Sequence, residues 1–296
     1  MTSEIEIAAM RRAIAISAQG LGTTAPNPPV GCVILDEAGD IVGEGYHHRK
    51  GEAHAEVNAL AAAGELARGG TAVVTLEPCN HFGRTPPCRQ ALLDAGVSRV
   101  VVALLDPTSR GDGGVAALRA AGVSVELGVA EHEALLVLGP WRRSLDSGAQ
   151  VTWLYALSAN GSPIPPPPGS DASKDAATLM RLTDLVVDED LALSEGQSGS
   201  HEWPLPKHAF GAETAAAEFL EWVAEIGART VTVVGRTRLA SEISRSGLLA
   251  RTVAYLPHTQ PSEGPHSPAQ SSWAPSGLRL IDVLPLPGWV RLTSEL

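Results

Sequence analysis

His54 and Glu56, followed by Cys79 and Cys88, are the residues of this chain whose types and spacing could do chemistry together. One imidazole and two thiolates suit zinc. A zinc ion on three protein ligands keeps a fourth position open and lowers the pKa of water there toward neutrality. A carboxylate close by, not itself a ligand, can carry the proton from that water to a ring nitrogen and a departing amine. That is the chemistry of hydrolytic deamination. His54-Ala55-Glu56 alone is a common kind of tripeptide. It gains weight from Pro78-Cys79, which follows a strand-like run from Thr71 to Leu76, and from Cys88 nearby. Zinc deaminases usually space their cysteines as Pro-Cys-x-x-Cys, whereas here Asn80 to Pro87 stand between them. The segment must fold back so that both sulfurs meet one ion, and its glycine and prolines suit a tight return. The competing reading, two buried cysteines packed as small hydrophobes, leaves the flanking pattern without a reason.

These side chains need elements to hold them. Residues 4–20 read as an amphipathic helix closed by Gly20-Leu21-Gly22. After a Pro-rich turn at 26–29, Val30 to Leu35 reads as a buried strand and Ile41 to Gly45 as its hairpin partner. His54 to Ala63 is an Ala-rich helix, which puts His54 and Glu56 at a helix start. Strand 71–76, helix 87–95, strand 100–104, helix 115–121 and strand 123–127 follow. His132 to Leu138 reads as a last short helix that Gly139-Pro140 ends. Helices alternating with β-branched strands argue for an α/β layered fold. The second half reads as strand 151–156, helix 212–226, strand 229–234 and strand 251–256, set among segments rich in Ser, Pro and Gly.

The chain has 296 residues, enough for two domains, placed here at 1–147 and 148–296. Charged residues at 19% and hydrophobic ones at 44% are globular values. The net charge of −11 opposes a phosphate backbone, so no nucleic-acid partner is expected. Three cysteines, an odd and low number, do not form a disulfide framework, and Cys32 reads as a small core residue. The N-terminus lacks the pattern of a secretory signal, and no stretch of about 18 apolar residues is present. No membrane contact and a cytoplasmic location are the expectations.

Thr75-Leu76-Glu77-Pro78-Cys79-Asn80-His81-Phe82-Gly83-Arg84-Thr85-Pro86-Pro87-Cys88, together with His54 to Leu60 and Pro26 to Ile34, resembles the deaminase domain of the bacterial riboflavin-biosynthesis deaminase–reductases. The resemblance covers roughly residues 5–145. It implies a cytidine-deaminase-like three-layer α/β/α domain with zinc on His54, Cys79 and Cys88 and with Glu56 as catalytic proton carrier. The implied substrate is a phosphorylated pyrimidine, 2,5-diamino-6-ribosylamino-4(3H)-pyrimidinone 5′-phosphate, whose 2-amino group is replaced by oxygen. Carried over by position, Asn27 hydrogen-bonds the pyrimidine edge and His47 lies near the substrate. His81 and Arg84 contact ribose or phosphate, and Asp106 contacts the ribose. Arg84 fits the family's basic position. Thr108 departs from its usual Asn and puts one sugar contact in doubt. Each has a plainer reading: Asn27 as a turn residue, His47 as an exposed idle ring, Arg84 as a surface charge, Asp106 as a strand-end cap.

The second half resembles the family's dihydrofolate-reductase-like domain, but in shortened and degenerate form. Trp153 to Gly161 matches its first strand, with Leu154 in place of a Lys and Asn160 in place of an Asp. Arg181 to Val187 matches a strand that in the family leads to a cofactor loop. Here it runs into Asp188-Glu189-Asp190, whose charge would repel a dinucleotide phosphate. Val234-Gly235-Arg236 stands where the family has Glu-Gly-Gly. The alternative is that Arg236 and Arg238 hold a 2′-phosphate. The expectation is that NADPH is not bound and reduction is lost. The half would then survive for homo-oligomer contact or partner docking, with a separate reductase completing the pathway step. Kept open are a full deaminase–reductase, a deaminase of another pyrimidine or purine base, and a non-catalytic zinc scaffold. Glu56 counts against the scaffold, because structural zinc needs no proton carrier.

Overall fold

A computed structural model describes residues 2–80, 87–109, 113–201, 203–206, 215–258, 277 and 279–295. The chain divides into two units, Met1–Arg142 and Arg143–Leu296.

In the first unit, α1 (Glu4–Ser17) begins at a capping box in which Ser3 and Glu6 satisfy each other's backbone N–H groups. A short 3₁₀ turn, Ala18–Gly20, completes the segment read as one helix. The strands are β1 (Gly31–Leu35), β2 (Ile41–Tyr46), β3 (Thr71–Leu76), β4 (Arg99–Leu104) and β5 (Ser124–Leu127). They form a sheet in the order β2-β1-β3-β4-β5. β1 runs antiparallel to β2 and β3, and β3, β4 and β5 are mutually parallel. β1 is buried along its whole length, as a continuous apolar run covered on both faces must be. Cys32 and Ile34 face one layer, with Ala55 and Ala59 of α2 (Ala55–Ala63), Leu92 of α3 (Cys88–Ala95) and Val115 and Leu118 of α4 (Gly113–Ala120). The other face packs against α1.

The position of α2 follows from two glycines of β2. A Cβ on Gly45 would lie 2.4 Å from the Ala59 nitrogen and 2.6 Å from the Ala55 oxygen. One on Gly43 would lie 2.3 Å from the Ala59 oxygen. Helix backbone therefore rests directly on strand backbone, and the alanines of α2 leave no bulk in between. This contact sets where the N-terminus of α2, with His54 and Glu56, stands.

The expected helix stop at Gly139-Pro140 is overturned: α5 runs without a break from Glu131 to Ser147, with Pro140 inside it. Ala134, Val137, Leu138 and Trp141 are buried at spacings of three and four, so one apolar stripe continues past the proline. Packing of that stripe outweighs the single hydrogen bond that proline removes.

The second unit contains β6 (Gln150–Leu157), β7 (Pro163–Ile164), α6 (Asp171–Met180), β8 (Leu185–Val187), β9 (Leu193–Glu195), α7 (Ala216–Ile226), β10 (Thr230–Val234), α8 (Arg238–Arg245), β11 (Leu249–Pro257), β12 (Arg279–Leu286) and β13 (Trp289–Glu295). Its sheet order is β12-β13-β11-β6-β10-β8-β9, with β7 beside β6. The inner strands β8, β10, β6 and β11 are parallel. Phe219 and Val223 of α7 and Leu239 and Ile243 of α8 cover one face, and Ala172 and Ala176 of α6 cover the other. Helices on both faces of a mixed sheet whose inner strands are parallel fit the α/β domain expected here. α6, α8 and the β12–β13 hairpin are additional to the elements expected from sequence.

Candidate active site

Three local structures deliver the reactive side chains of the first unit. His54 occupies the cap position of α2 in extended conformation, and its side chain makes no cap hydrogen bond. The imidazole is thereby free to turn outward. Cys88 is the first residue of α3, behind Pro87, whose fixed φ and missing N–H suit a helix entrance. Cys79 follows the end of β3 after Pro78, and its sulfur accepts the Cys88 backbone N–H at 3.2 Å. The Arg89 N–H donates to the Cys79 carbonyl at 3.4 Å, and the Arg89 guanidinium holds the Asn80 side chain. These contacts join Cys79 and Asn80 to the first turn of α3.

His54 Nδ1 lies 3.2 Å from Cys88 Sγ and 3.8 Å from Cys79 Sγ. The three donor atoms all fall within 4.8 Å of one another. The residues fit zinc in donor chemistry and in placement. Both α2 and α3 point their N-termini here, and the positive helix ends favour anionic sulfur. A hydrogen bond from Cys88, with help from His54 and against burial, holds the Cys79 thiol down to about 4. The same contact, with burial and the nearby Glu56, pushes the Cys88 thiol well up. Two crowded sulfurs that cannot both carry charge unaided are a place for a cation. His54 is raised, first by its contact with Cys79.

Glu56, in the first turn of α2, is 3% exposed. Burial raises its pKa, and His54 offsets that in part. A cavity of about 250 Å³ opens over the cluster, lined by Asn27, His47, His54, Glu56, Cys79 and Asp106, and also by Glu77 and Thr108. His47 is 3% exposed, not the idle surface ring that the plainer reading allowed. Its Nδ1 stands 3.1 Å from the Ala53 carbonyl and its Nε2 3.2 Å from Asn27 Nδ2. The carbonyl can only accept, so Nδ1 carries the proton and Nε2 accepts from Asn27. Burial lowers the His47 pKa, consistent with a neutral ring. Asp106 Oδ1 accepts from the Thr108 N–H at 2.8 Å and from Thr108 Oγ1 at 2.7 Å. Asp106 is therefore both a local cap and a cavity wall. His81 and Arg84 lie outside the described residues. Cys32 is fully buried beneath the site. The sequence reading passed over Glu77, whose signal was a carboxylate set directly before Pro78-Cys79.

The model of the cytidine and deoxycytidylate deaminase zinc-binding region matches residues 3–104. The diaminohydroxyphosphoribosylamino-pyrimidine deaminase of Buchnera aphidicola subsp. Schizaphis graminum is 53% identical over 125 residues, 42% of this chain and 84% of that one. Over 99% of both chains, the fold is similar to that of Acinetobacter baumannii RibD, form 1, with a TM-score of 0.77 and 27% identity. A Thermotoga maritima diaminohydroxyphosphoribosylaminopyrimidine deaminase/5-amino-6-(5-phosphoribosylamino)uracil reductase shares the fold over 98% of both chains, with a TM-score of 0.80 and 22% identity.

Proposed function

This chain belongs to the diaminohydroxyphosphoribosylaminopyrimidine deaminase family, and from that premise we propose that its first unit converts 2,5-diamino-6-ribosylamino-4(3H)-pyrimidinone 5′-phosphate to the uracil derivative and ammonia, while its second unit no longer reduces. The observation that carries the reading is the convergence of His54, Cys79 and Cys88 beside a buried Glu56 in one cavity. Zinc held by the three donors would supply the Lewis acidity that makes water nucleophilic near neutral pH. Glu56 passes one proton of the attacking water to the ring nitrogen, and then the proton of the added hydroxyl to the amine as the C–N bond breaks and the carbonyl forms. Its raised pKa suits a group that must both accept and give a proton. Asn27 holds the pyrimidine edge with the neutral His47 near it, Asp106 contacts the ribose, and His81 and Arg84 contact ribose or phosphate.

Three features of the second unit support the reading that it does not use NADPH. Asp188 Oδ1 accepts the N–H groups of Asp190 and Ala192 at 2.9 and 2.8 Å, closing a tight acidic turn between β8 and β9. The charge of Asp188, Glu189 and Asp190 on that turn opposes a nucleotide phosphate, which supports this reading. The Gly235 carbonyl is taken by the Trp153 indole at 2.7 Å. Pro165 stands so close to Gly235 that a Cβ there would lie 3.1 Å from the ring. Arg236 and Glu189 line a separate cavity with Asn160. The unit serves homo-oligomer assembly, for which the edge strand β12 exposes Leu280, Ile281 and Val283.

The test is to incubate the zinc-loaded protein with the pyrimidinone phosphate, with and without NADPH. Ammonia release without NADPH consumption is expected, and consumption of NADPH would overturn the reading of the second unit. Glu56→Gln should keep zinc and lose about 10²- to 10⁴-fold in kcat.

A further inference from the structure

Glu77 leads from β3 into Pro78-Cys79, and its side chain is 7% exposed. Its carboxylate accepts two backbone N–H groups, Val115 to Oε1 at 3.0 Å and Asp106 to Oε2 at 3.2 Å. Val115 lies in the first turn of α4, where N–H groups lack intrahelical partners and the helix dipole favours a negative charge. Asp106 lies in the loop that leaves β4. The backbone N–H of Glu77 also donates to the Leu104 carbonyl at 2.8 Å. One residue thus joins β3, the exit of β4 and the start of α4.

The chain has made room for this. A Cβ on Gly113, which has φ of 77°, would lie 2.3 Å from Glu77 Oε1, and one on Gly114 would lie 1.8 Å from the Pro78 carbonyl oxygen. The glycine pair lets α4 begin against the carboxylate. Thr108 meanwhile fixes the Asp106 side chain through its N–H and hydroxyl. The Asp106 main chain is held by Glu77 and its carboxylate by Thr108, and all three line the cavity over His54 and Glu56.

We propose that Glu77 is a positioning residue for substrate affinity, pinning the Asp106 loop and the start of α4 so that Asp106 meets the sugar of a phosphorylated pyrimidine at a fixed place. The proposal rests on the ribose role given to Asp106 above. An amide at position 77 keeps the shape but can accept only one of the two N–H groups.

The experiment measures steady-state ammonia release and zinc content of the full-length, zinc-loaded chain. Glu77→Gln should raise KM for the pyrimidinone phosphate about tenfold, the worth of one charge-assisted hydrogen bond. It should leave kcat within about twofold and zinc content unchanged. Gly113→Ala, which displaces Oε1, should give the same split and serves if the first variant does not fold. In a background of Asp106→Ala, itself raised in KM, Glu77→Gln should add nothing. A fall in kcat or zinc at constant KM overturns the proposal, as does an undiminished KM effect in that background. If Asp106→Ala leaves KM unchanged, the ribose assignment falls and takes the proposal with it. If the wild-type chain releases no ammonia from this compound, the functional assignment itself fails.

Discussion

Substituting Gly45 by Ala should damage catalysis although Gly45 lies outside the metal cluster. The new methyl carbon would sit 2.4 Å from the Ala59 nitrogen, and ordinary contact begins at 3.4 Å. Both obstacles, that nitrogen and the Ala55 carbonyl oxygen, are backbone and cannot rotate away. α2 must therefore lift from β2 by about 1 Å at its N-terminal half. Overpacking of this kind costs about 1–3 kcal/mol, readable as a shift in the denaturant midpoint of the first unit. The catalytic effect is larger in proportion, because a misplacement of about 1 Å in a reacting group costs about 100-fold in rate. Gly43→Ala is the control. Its methyl would meet the Ala59 oxygen and Ala63, toward the other end of α2. It should lose comparable stability with a smaller loss of kcat. Assays of ammonia release and urea unfolding on both variants decide it. Full turnover and unchanged stability in Gly45→Ala would refute the direct seating of α2 on β2.

Zinc affinity should fall with falling pH. Cys79, held at about 4, is ionised at neutrality, while the raised Cys88 keeps its proton and His54, also raised, gains one as the pH falls, and the metal must displace both. Apparent affinity should drop about tenfold or more per pH unit below neutrality, as competition with a chromophoric chelator will show; a flat profile would contradict the ligand set. Arg99 and Glu6 pair at the base of α1, and Arg99 also reaches Glu126. Burial acts to raise the Glu6 pKa, but Arg99 and the Ser3 contacts prevail and lower it. Because the folded value is depressed, the stabilisation is present above the unfolded pKa and is lost as pH falls through the lower folded one. Glu6→Gln should cost about 1 kcal/mol at pH 7 and progressively less on acidification through the carboxylate range, by urea unfolding at each pH.

Much of the first unit was legible because its strands are short β-branched runs and its helices end at glycines such as Gly96, which adopts the left-handed conformation. The stop assigned at Gly139-Pro140 failed because a local breaker was weighed without the apolar stripe that crosses it. α6 escaped notice because its buried face is made of alanines, Ala172 and Ala176, which carry little periodic signal amid polar neighbours. β12 escaped because Leu280, Ile281 and Val283 are all exposed. Its place in the sheet comes from backbone pairing with β13 rather than from a buried face.

The order of residues alone determined the donor set, the carboxylate beside it and the helix starts that carry His54 and Cys88, since ligand chemistry and capping are properties of residue type and near neighbours. Only the folded chain decided that sulfurs and imidazole from segments 25 and 34 positions apart meet. It also decided that Asn27 orients His47 and that Glu77 reaches Asp106 and Val115. Those distances are set by how α2 seats on two glycines of β2 and how α4 closes on Gly113 and Gly114. Such contacts are steric events between remote segments, and no local pattern encodes them.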